Sequence, residues 1–264
     1  MQYKDKLYGY LFVLVIVTFA VGALYFLTKS SPIEGSSLIE ANSLINALEI
    51  KYGDSSLILE KNVNWKVNSL PANEFLINEL VNKLIDAKVV EVASTNPDNF
   101  SLFDINNGSP VFKIKFSNEN TVELRLGKKS FDKSYVQKDN EPKVYYINES
   151  ITDYGFLGAE SFLEKKPFNF SKAEISEIVI NKEVVSLDES AITQFGSFSS
   201  SNIFLNKTIP ESESDFLVSI KVATETFSYK FTSLDSKFFV INLNSNIVYE
   251  ITEEIFKIFE PKNL

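Results

Sequence analysis

The stretch Phe112-Lys113-Ile114-Lys115-Phe116 places every apolar side chain on one side of an extended chain and both charges on the other. Successive side chains of a strand point to opposite faces, so the run predicts a strand with one dry and one wet face. Val122, Leu124 and Leu126 repeat the pattern against Glu123 and Arg125. Residues 135–137 and 144–147 add two further short runs, separated by turn residues. Consecutive runs of this kind predict antiparallel sheet with one covered face.

Working upstream, residues 47–52 and 56–61 alternate in the same way, and Val63-Asn64-Trp65-Lys66-Val67 sets the lone Trp on one side of a third run. The three predict a meander. Pro71 then opens an expected helix, since a first-turn proline loses no hydrogen bond. Leu76, Ile77, Leu80, Val81, Leu84 and Ala87 recur at helical spacing, with Glu79, Asn82, Lys83 and Asp86 opposite. Residues 89–92 return as a strand, and Asn96-Pro97-Asp98 predicts a turn.

Working downstream, the pattern is replayed. Phe112, Ile114 and Phe116 match Phe216, Val218 and Ile220, Val136 matches Val240, and Val144-Tyr145-Tyr146-Ile147 matches Val248-Tyr249-Glu250-Ile251. Val122, Leu124 and Leu126 match Phe227, Tyr229 and Phe231 after a slip of one residue, and Ile50 pairs with Ile178. Residues 150–154 and 253–256 both predict short helical turns. The second copy is abbreviated, with a short helix at 190–195 and no Trp. The expected fold class is therefore α+β: an N-terminal transmembrane helix followed by two related antiparallel-sheet-plus-helix units. The expected divisions are 1–29 for a short cytoplasmic tail and anchor, 30–43 for a linker, 44–160 for the first unit and 172–260 for the second.

The anchor is residues 7–28, LYGYLFVLVIVTFAVGALYFLT, which carry no charge. At about 1.5 Å per residue a helix of this length spans a hydrocarbon core of roughly 30 Å. Tyr8, Tyr10 and Tyr25 lie near its ends, where amphipathic rings favour the interface. Lys4 and Lys6 precede the run and Lys29 follows it, so the positive-inside tendency places the N-terminus in the cytoplasm and the rest extracytoplasmic, at the cell membrane. A cleaved signal peptide is the alternative, because Val21-Gly22-Ala23 has small residues in a cleavage-like arrangement. Against it, the apolar run continues through Leu24, Tyr25, Phe26 and Leu27. The Ser-rich segment 30–37 predicts a linker.

The formal net charge is -9; Lys4, Lys6 and Lys29 against Asp5 give the first 29 residues +2, leaving -11 on the remainder. That field disfavours nucleic acid and anionic lipid surfaces. The chain has 0 His and 0 Cys, which excludes imidazole bases, thiolate nucleophiles, disulfides and soft metal ligands. No cofactor is expected. Gly127-Lys128-Lys129-Ser130 has the end of a phosphate-loop pattern, but Val122 stands where its first Gly is required and a strand follows, so nucleotide binding is not expected. Asp139/Glu141, Asp188/Glu189 and Glu211/Glu213/Asp215 are acid clusters without calcium-loop spacing, read as solvated surface. Asn99, Asn107, Asn148, Asn169 and Asn206 begin N-x-S/T triplets, which matter only where exported proteins are glycosylated.

Asn64-Trp65-Lys66-Val67, Pro71, the amphipathic helix, Val89-Val90, Glu123-Leu124-Arg125-Leu126-Gly127-Lys128, Tyr135 and Val144-Tyr145 together resemble the family called domain of unknown function 4340. The resemblance covers about 44–155, and more weakly 172–258. It implies a membrane anchor and an α+β ectodomain, often with repeated units, in the company of gliding-motility-type ABC-2 transport systems. It supplies no catalytic residues. Ser101-Leu102-Phe103-Asp104 before Ser109-Pro110 departs from the family's Gly-Leu before a Pro-containing strand entry.

These readings converge on a single-pass, membrane-anchored envelope protein with a non-enzymatic extracytoplasmic domain. Its expected role is an accessory or scaffold component of an ABC-2-type transport or gliding-related assembly, with envelope or transporter proteins as partners. Phe195, Phe198 and Phe204, in a Ser-rich stretch, are the candidate partner contacts; the competing reading has Ile203, Phe204 and Leu205 simply plugging the second sheet. Two other functions stay open. An exported carboxylate-dependent hydrolase would need a deep cleft with two inward carboxylates, and a ligand-binding module an apolar pocket between the halves.

Overall fold

A computed structural model describes residues 35–39 and 44–261. The expected transmembrane segment lies outside the described residues. Among them, no helix is long and apolar enough to cross a membrane.

The first unit runs β1 (Ile45–Tyr52), β2 (Ser55–Lys61), β3 (Trp65–Val67), β4 (Leu70–Pro71), α1 (Glu74–Asp86), β5 (Val89–Ser94), a 3-10 helix (Pro97–Phe103), β6 (Val111–Phe116), β7 (Thr121–Ser130), β8 (Lys133–Lys138) and β9 (Val144–Ile147). A second 3-10 helix (Thr152–Phe156) and the single turn α2 (Ala159–Phe162) close it. The second unit runs β10 (Ile175–Ile180), β11 (Glu183–Val185), α3 (Glu189–Ser197), β12 (Ile203–Leu205), β13 (Phe216–Val222), β14 (Glu225–Leu234), β15 (Lys237–Asn242), β16 (Ile247–Ile251) and α4 (Glu253–Phe259). The class is α+β, with two antiparallel sheets and a few helices.

The first sheet is ordered β4-β3-β2-β1-β6-β7-β8-β9-β5, and the second β11-β10-β13-β14-β15-β16-β12. Without β3 and β4 the two orders are the same. The register corrects the pairing expected from sequence. Each sheet has a bulge early in its leading strand, between Ile45 and Ala47 and between Ile175 and Glu177. Aligned there, Ile50↔Phe112 corresponds to Ile180↔Val218, so Phe112 answers to Val218 rather than Phe216, and Ile50 to Ile180 rather than Ile178. A displacement of two residues keeps every side chain on its face, which is why alternation could not detect it. The one-residue slip in the next strand is a bulge between Leu126 and Lys129 in β7; β14 pairs with β15 without one.

Helix α1 begins at Glu74, not Pro71. Asn73 is its cap, its side-chain oxygen accepting the Leu76 N–H at 3.2 Å. Pro71 sits in the two-residue strand β4, and its carbonyl accepts the Glu164 N–H at 3.0 Å. Ile77, Leu80 and Leu84 on α1 are buried in one apolar cluster with Leu48, Phe112, Ile114, Leu124 and Val136 from the inner sheet face. Trp65 joins them, its indole N–H donating to Asn78 at 3.1 Å. The second core is aromatic instead: Phe168 lies 4.9–6.3 Å from the rings of Phe170, Phe195, Tyr229, Phe231 and Phe259. Helix α3 has 9 residues against 13 in α1, so bulkier side chains fill the space beneath it.

The connecting segment is stitched to both units. Leu163 bridges Ala72 at the edge of the first sheet, Ser200 N–H donates to the Lys165 carbonyl at 2.8 Å, and the Tyr229 hydroxyl donates to the Pro167 carbonyl at 3.1 Å. Phe162, Leu163 and Phe168 are buried there. Part of the stretch expected as linker docks on the domain: Ser37 bridges Lys88, and Leu38 and Ile39 are buried.

Candidate functional site at the loop end of the first sheet

Besides the added edge strands β3 and β4, the first unit departs from the scaffold it shares with the second at one end of its sheet. Strands β1 and β2 extend to Tyr52↔Ser55, whereas β10 and β11 close at Ile180↔Glu183. The longer hairpin carries Tyr52, whose ring meets Phe156 edge-on at 4.9 Å. Both rings are about half exposed, at 47% and 52%. They stand at the mouth of an open cleft of about 480 Å³, with Ile50 and Leu57 at its base and the segment from Gly155 to Glu160 along one wall. This volume lies in the usual range for ligand-sized recesses.

A hydroxyl core holds that wall. Ser134 on β8 is fully buried; its oxygen accepts the Ile151 N–H at 3.0 Å and the Thr152 N–H at 3.2 Å, and bonds the Thr152 hydroxyl at 2.9 Å. The Tyr154 hydroxyl donates to Glu79 on α1 at 2.7 Å. Burial, then the Glu79 carboxylate, pushes the Tyr154 phenol above its ordinary range. Gly155 is required by packing, because a β-carbon there would lie 2.6 Å from Pro110 and 2.9 Å from Leu126. Lys129 reaches across to Asp153 at 2.5 Å. The aromatic wall of the cleft is therefore pre-set rather than loose.

Beside it, Lys128 donates to the Leu102 carbonyl at 2.6 Å and lies over the rings of Phe103 and Tyr135. Tyr135 stacks on Tyr146 at 4.7 Å, and Lys133 covers Tyr146. Burial, then Tyr146 and Glu91, raises the Tyr135 phenol. Phe131, at the tip of the β7–β8 hairpin, is 93% exposed, and its φ of 57° is left-handed.

The candidates Phe195, Phe198 and Phe204 are not brought together. Phe195 is fully buried in the aromatic core, so it is packing rather than contact surface. Phe198 is half-buried against the same core. Phe204 lies on edge strand β12, packed against a separate group of Ile209, Phe239 and Val248 and covered by the Lys207 ammonium at 3.8 Å. The acid clusters are put to structural use. Asp188 caps α3, Asp139 accepts the Glu123 N–H at 2.8 Å, Glu141 receives the Tyr145 hydroxyl, and Asp215 pairs with Lys230 at 2.7 Å. No group of three or more carboxylates that could hold a metal occurs among the described residues. Two carboxylates, Asp54 and Glu160, line the cleft, and both stand in open solvent.

Sequence reasoning missed Tyr52, Phe131 and Phe156. Two signals were available: Tyr154-Gly155-Phe156-Leu157-Gly158 sets an aromatic between two glycines, and Phe131 occupies a turn position that favours Gly, Asn or Asp.

The fold and site define a two-unit α+β protein with an aromatic-walled surface cleft. Residues 65–195, just under half of the chain, match the family described as Domain of unknown function (DUF4340). The match opens at Trp65 and ends at Phe195 in α3, so it crosses the connection between the units. No curated protein and no solved structure matches the chain.

Proposed function

We propose that this chain is a single-pass membrane protein whose extracytoplasmic domain binds a protein partner at the loop end of the first sheet. The observation that carries the reading is the Tyr52–Phe156 pair, two half-exposed rings held at 4.9 Å over the cleft. Large aromatic rings on a rigid support are the usual anchors of protein interfaces. They gain contact area while losing little side-chain freedom. Ser134, Gly155 and Tyr154 supply the support, so binding need not first order the loop. Membrane attachment rests on the uncharged apolar run at 7–28. The partner class, subunits of an ABC-2-type transport or gliding-related assembly, rests on the family resemblance.

The test is a photo-crosslinking residue at Phe156 in the full-length protein, activated in intact source cells before membrane extraction. Transporter subunits should be captured from position 156 and not from Leu217 on the second unit. Capture of the protein alone, or equal capture from both positions, would count against the reading. Protease access in intact against permeabilised cells tests the topology separately.

A further inference from the structure

The β7–β8 hairpin breaks a local rule in a way that nothing inside the fold repays. Its tip residue pairs align Ser130↔Lys133 with Leu234↔Lys237, so Phe131 takes the place held by Asp235 in the second unit. Both residues have left-handed backbone, with φ of 57° and 51°. Asp tolerates that conformation and Phe does not. Yet the Phe131 ring is 93% exposed, so no core packing offsets the strain. A strained, exposed aromatic points to a contact outside the molecule.

The path of the chain identifies the contact. Ser134, beside the hairpin, pairs with Ile147, which pairs with Val89. The Val89 N–H donates to the Ser36 carbonyl, and the Gly35 N–H donates to the Val89 carbonyl, both at 2.9 Å. Residues 35 and 36 therefore lie at the same end of the sheet as the β7–β8 hairpin, about 14 Å from Ser134 at its base across three strand spacings. The apolar run ends at Thr28, and the stretch from there to Gly35 reaches at most about 25 Å. A domain tethered so closely presents this end to the bilayer. The end is close to neutral in a chain that is acidic as a whole: Lys88, Lys128 and Lys133 stand against Asp54, Asp132 and Glu160, Lys129 is neutralised by Asp153, and Lys128 and Lys133 are the charges nearest the hairpin tip.

We propose that the hairpin tip inserts Phe131 into the interface of the membrane that holds the anchor, with the neighbouring lysines on anionic phospholipid headgroups. The inference rests on the anchor reading and fixes how the domain stands: the Tyr52–Phe156 cleft, at the same end, then faces a membrane-embedded partner. The chain has 0 Cys, so single labels are clean. Spin labels on Asp132→Cys, Asp235→Cys and Thr18→Cys are compared in the full-length protein, in nanodiscs of phosphatidylcholine and phosphatidylglycerol. Collision with oxygen relative to a water-soluble nickel complex reports immersion. The proposal expects severalfold higher immersion at 132 than at 235, lost on adding Phe131→Asn, which suits the turn, and reduced in pure phosphatidylcholine. Immersion at 18 with position 132 as wet as 235 overturns the insertion and leaves the anchor standing. Both 18 and 132 wet overturns both readings. Position 132 immersed with 18 wet supports insertion and sinks the anchor. Immersion at 132 that survives Phe131→Asn overturns the role of the ring.

Discussion

Gly127 lies so close to the carbonyl oxygen of Phe103 that a β-carbon there would sit 2.2 Å from it, and 2.8 Å from the Ile105 side chain. The glycine is the inner residue of the β7 bulge, and the contact seats the turn after the first 3-10 helix against the sheet. One feature thus explains the slip in the repeat and the Gly-Lys pair that resembles a phosphate loop.

Gly127→Ala should therefore destabilise the fold by about 1–3 kcal/mol, since backbone rather than a flexible side-chain end must move. At roughly 2–4 °C per kcal/mol for a domain of this size, thermal melting followed by the single Trp would show it. An unchanged melting temperature would mean that the turn yields at no cost.

Face and period were legible in the sequence, and partnership at a distance was not. Phe112, Ile114 and Phe116 announce a buried face by alternation, and Ile77, Leu80 and Leu84 do so by helical spacing. Register escaped because a two-residue shift leaves the pattern unchanged. The first 3-10 helix escaped because Asn99, Ser101 and Asp98 carry no periodic apolar face. Phe195 misled because Ser-rich surroundings suggest a loop, whereas Phe168, 27 residues earlier in the chain, comes back to bury it. The cleft could not be read at all, because Tyr52 and Phe156 meet only after the whole first sheet has closed.

Ser134→Ala should cost about 1–3 kcal/mol, because it leaves two buried backbone N–H groups, of Ile151 and Thr152, without an acceptor. Its effect should concentrate in the wall of the cleft. Hydrogen exchange should quicken at Ile151 and Thr152 before it does in β6 and β7, and crosslinking from position 156 should fall. Uniform quickening across the sheet would show that Ser134 supports the whole unit instead.

Phe131→Asn should stabilise the protein in detergent by roughly 1 kcal/mol, because Asn relieves most of the left-handed penalty and no buried contact is lost. The same variant should weaken bilayer contact. Stability and function would then pull in opposite directions at one residue, as expected where a local rule is broken for an external purpose. A lower melting temperature for Phe131→Asn would show that the ring has a structural role.

Stability should be flat from about pH 6 to pH 9 and fall on both sides, because the chain has no His or Cys to titrate between the carboxylates and the phenols. On the acid side, burial works against ionised Asp215, but the Lys230 ammonium at 2.7 Å, together with the Thr232 hydroxyl and the Ser212 backbone, outweighs it and holds the carboxyl below its ordinary range. A group depressed in the folded state stabilises above its unfolded pKa of about 4, and that contribution is lost as pH falls through the folded value. Asp215→Asn should therefore flatten the acid limb while lowering the plateau. On the alkaline side, burial raises the phenols of Tyr229 and Tyr249, and burial with Glu141 raises that of Tyr145. Folding then binds these protons more tightly, so stability is full below an unfolded pKa of about 10 and declines as pH climbs past it. Urea midpoints across this range, read by Trp65 fluorescence, check both limbs, and a midpoint that changes between pH 6 and pH 9 would contradict the assignment of either.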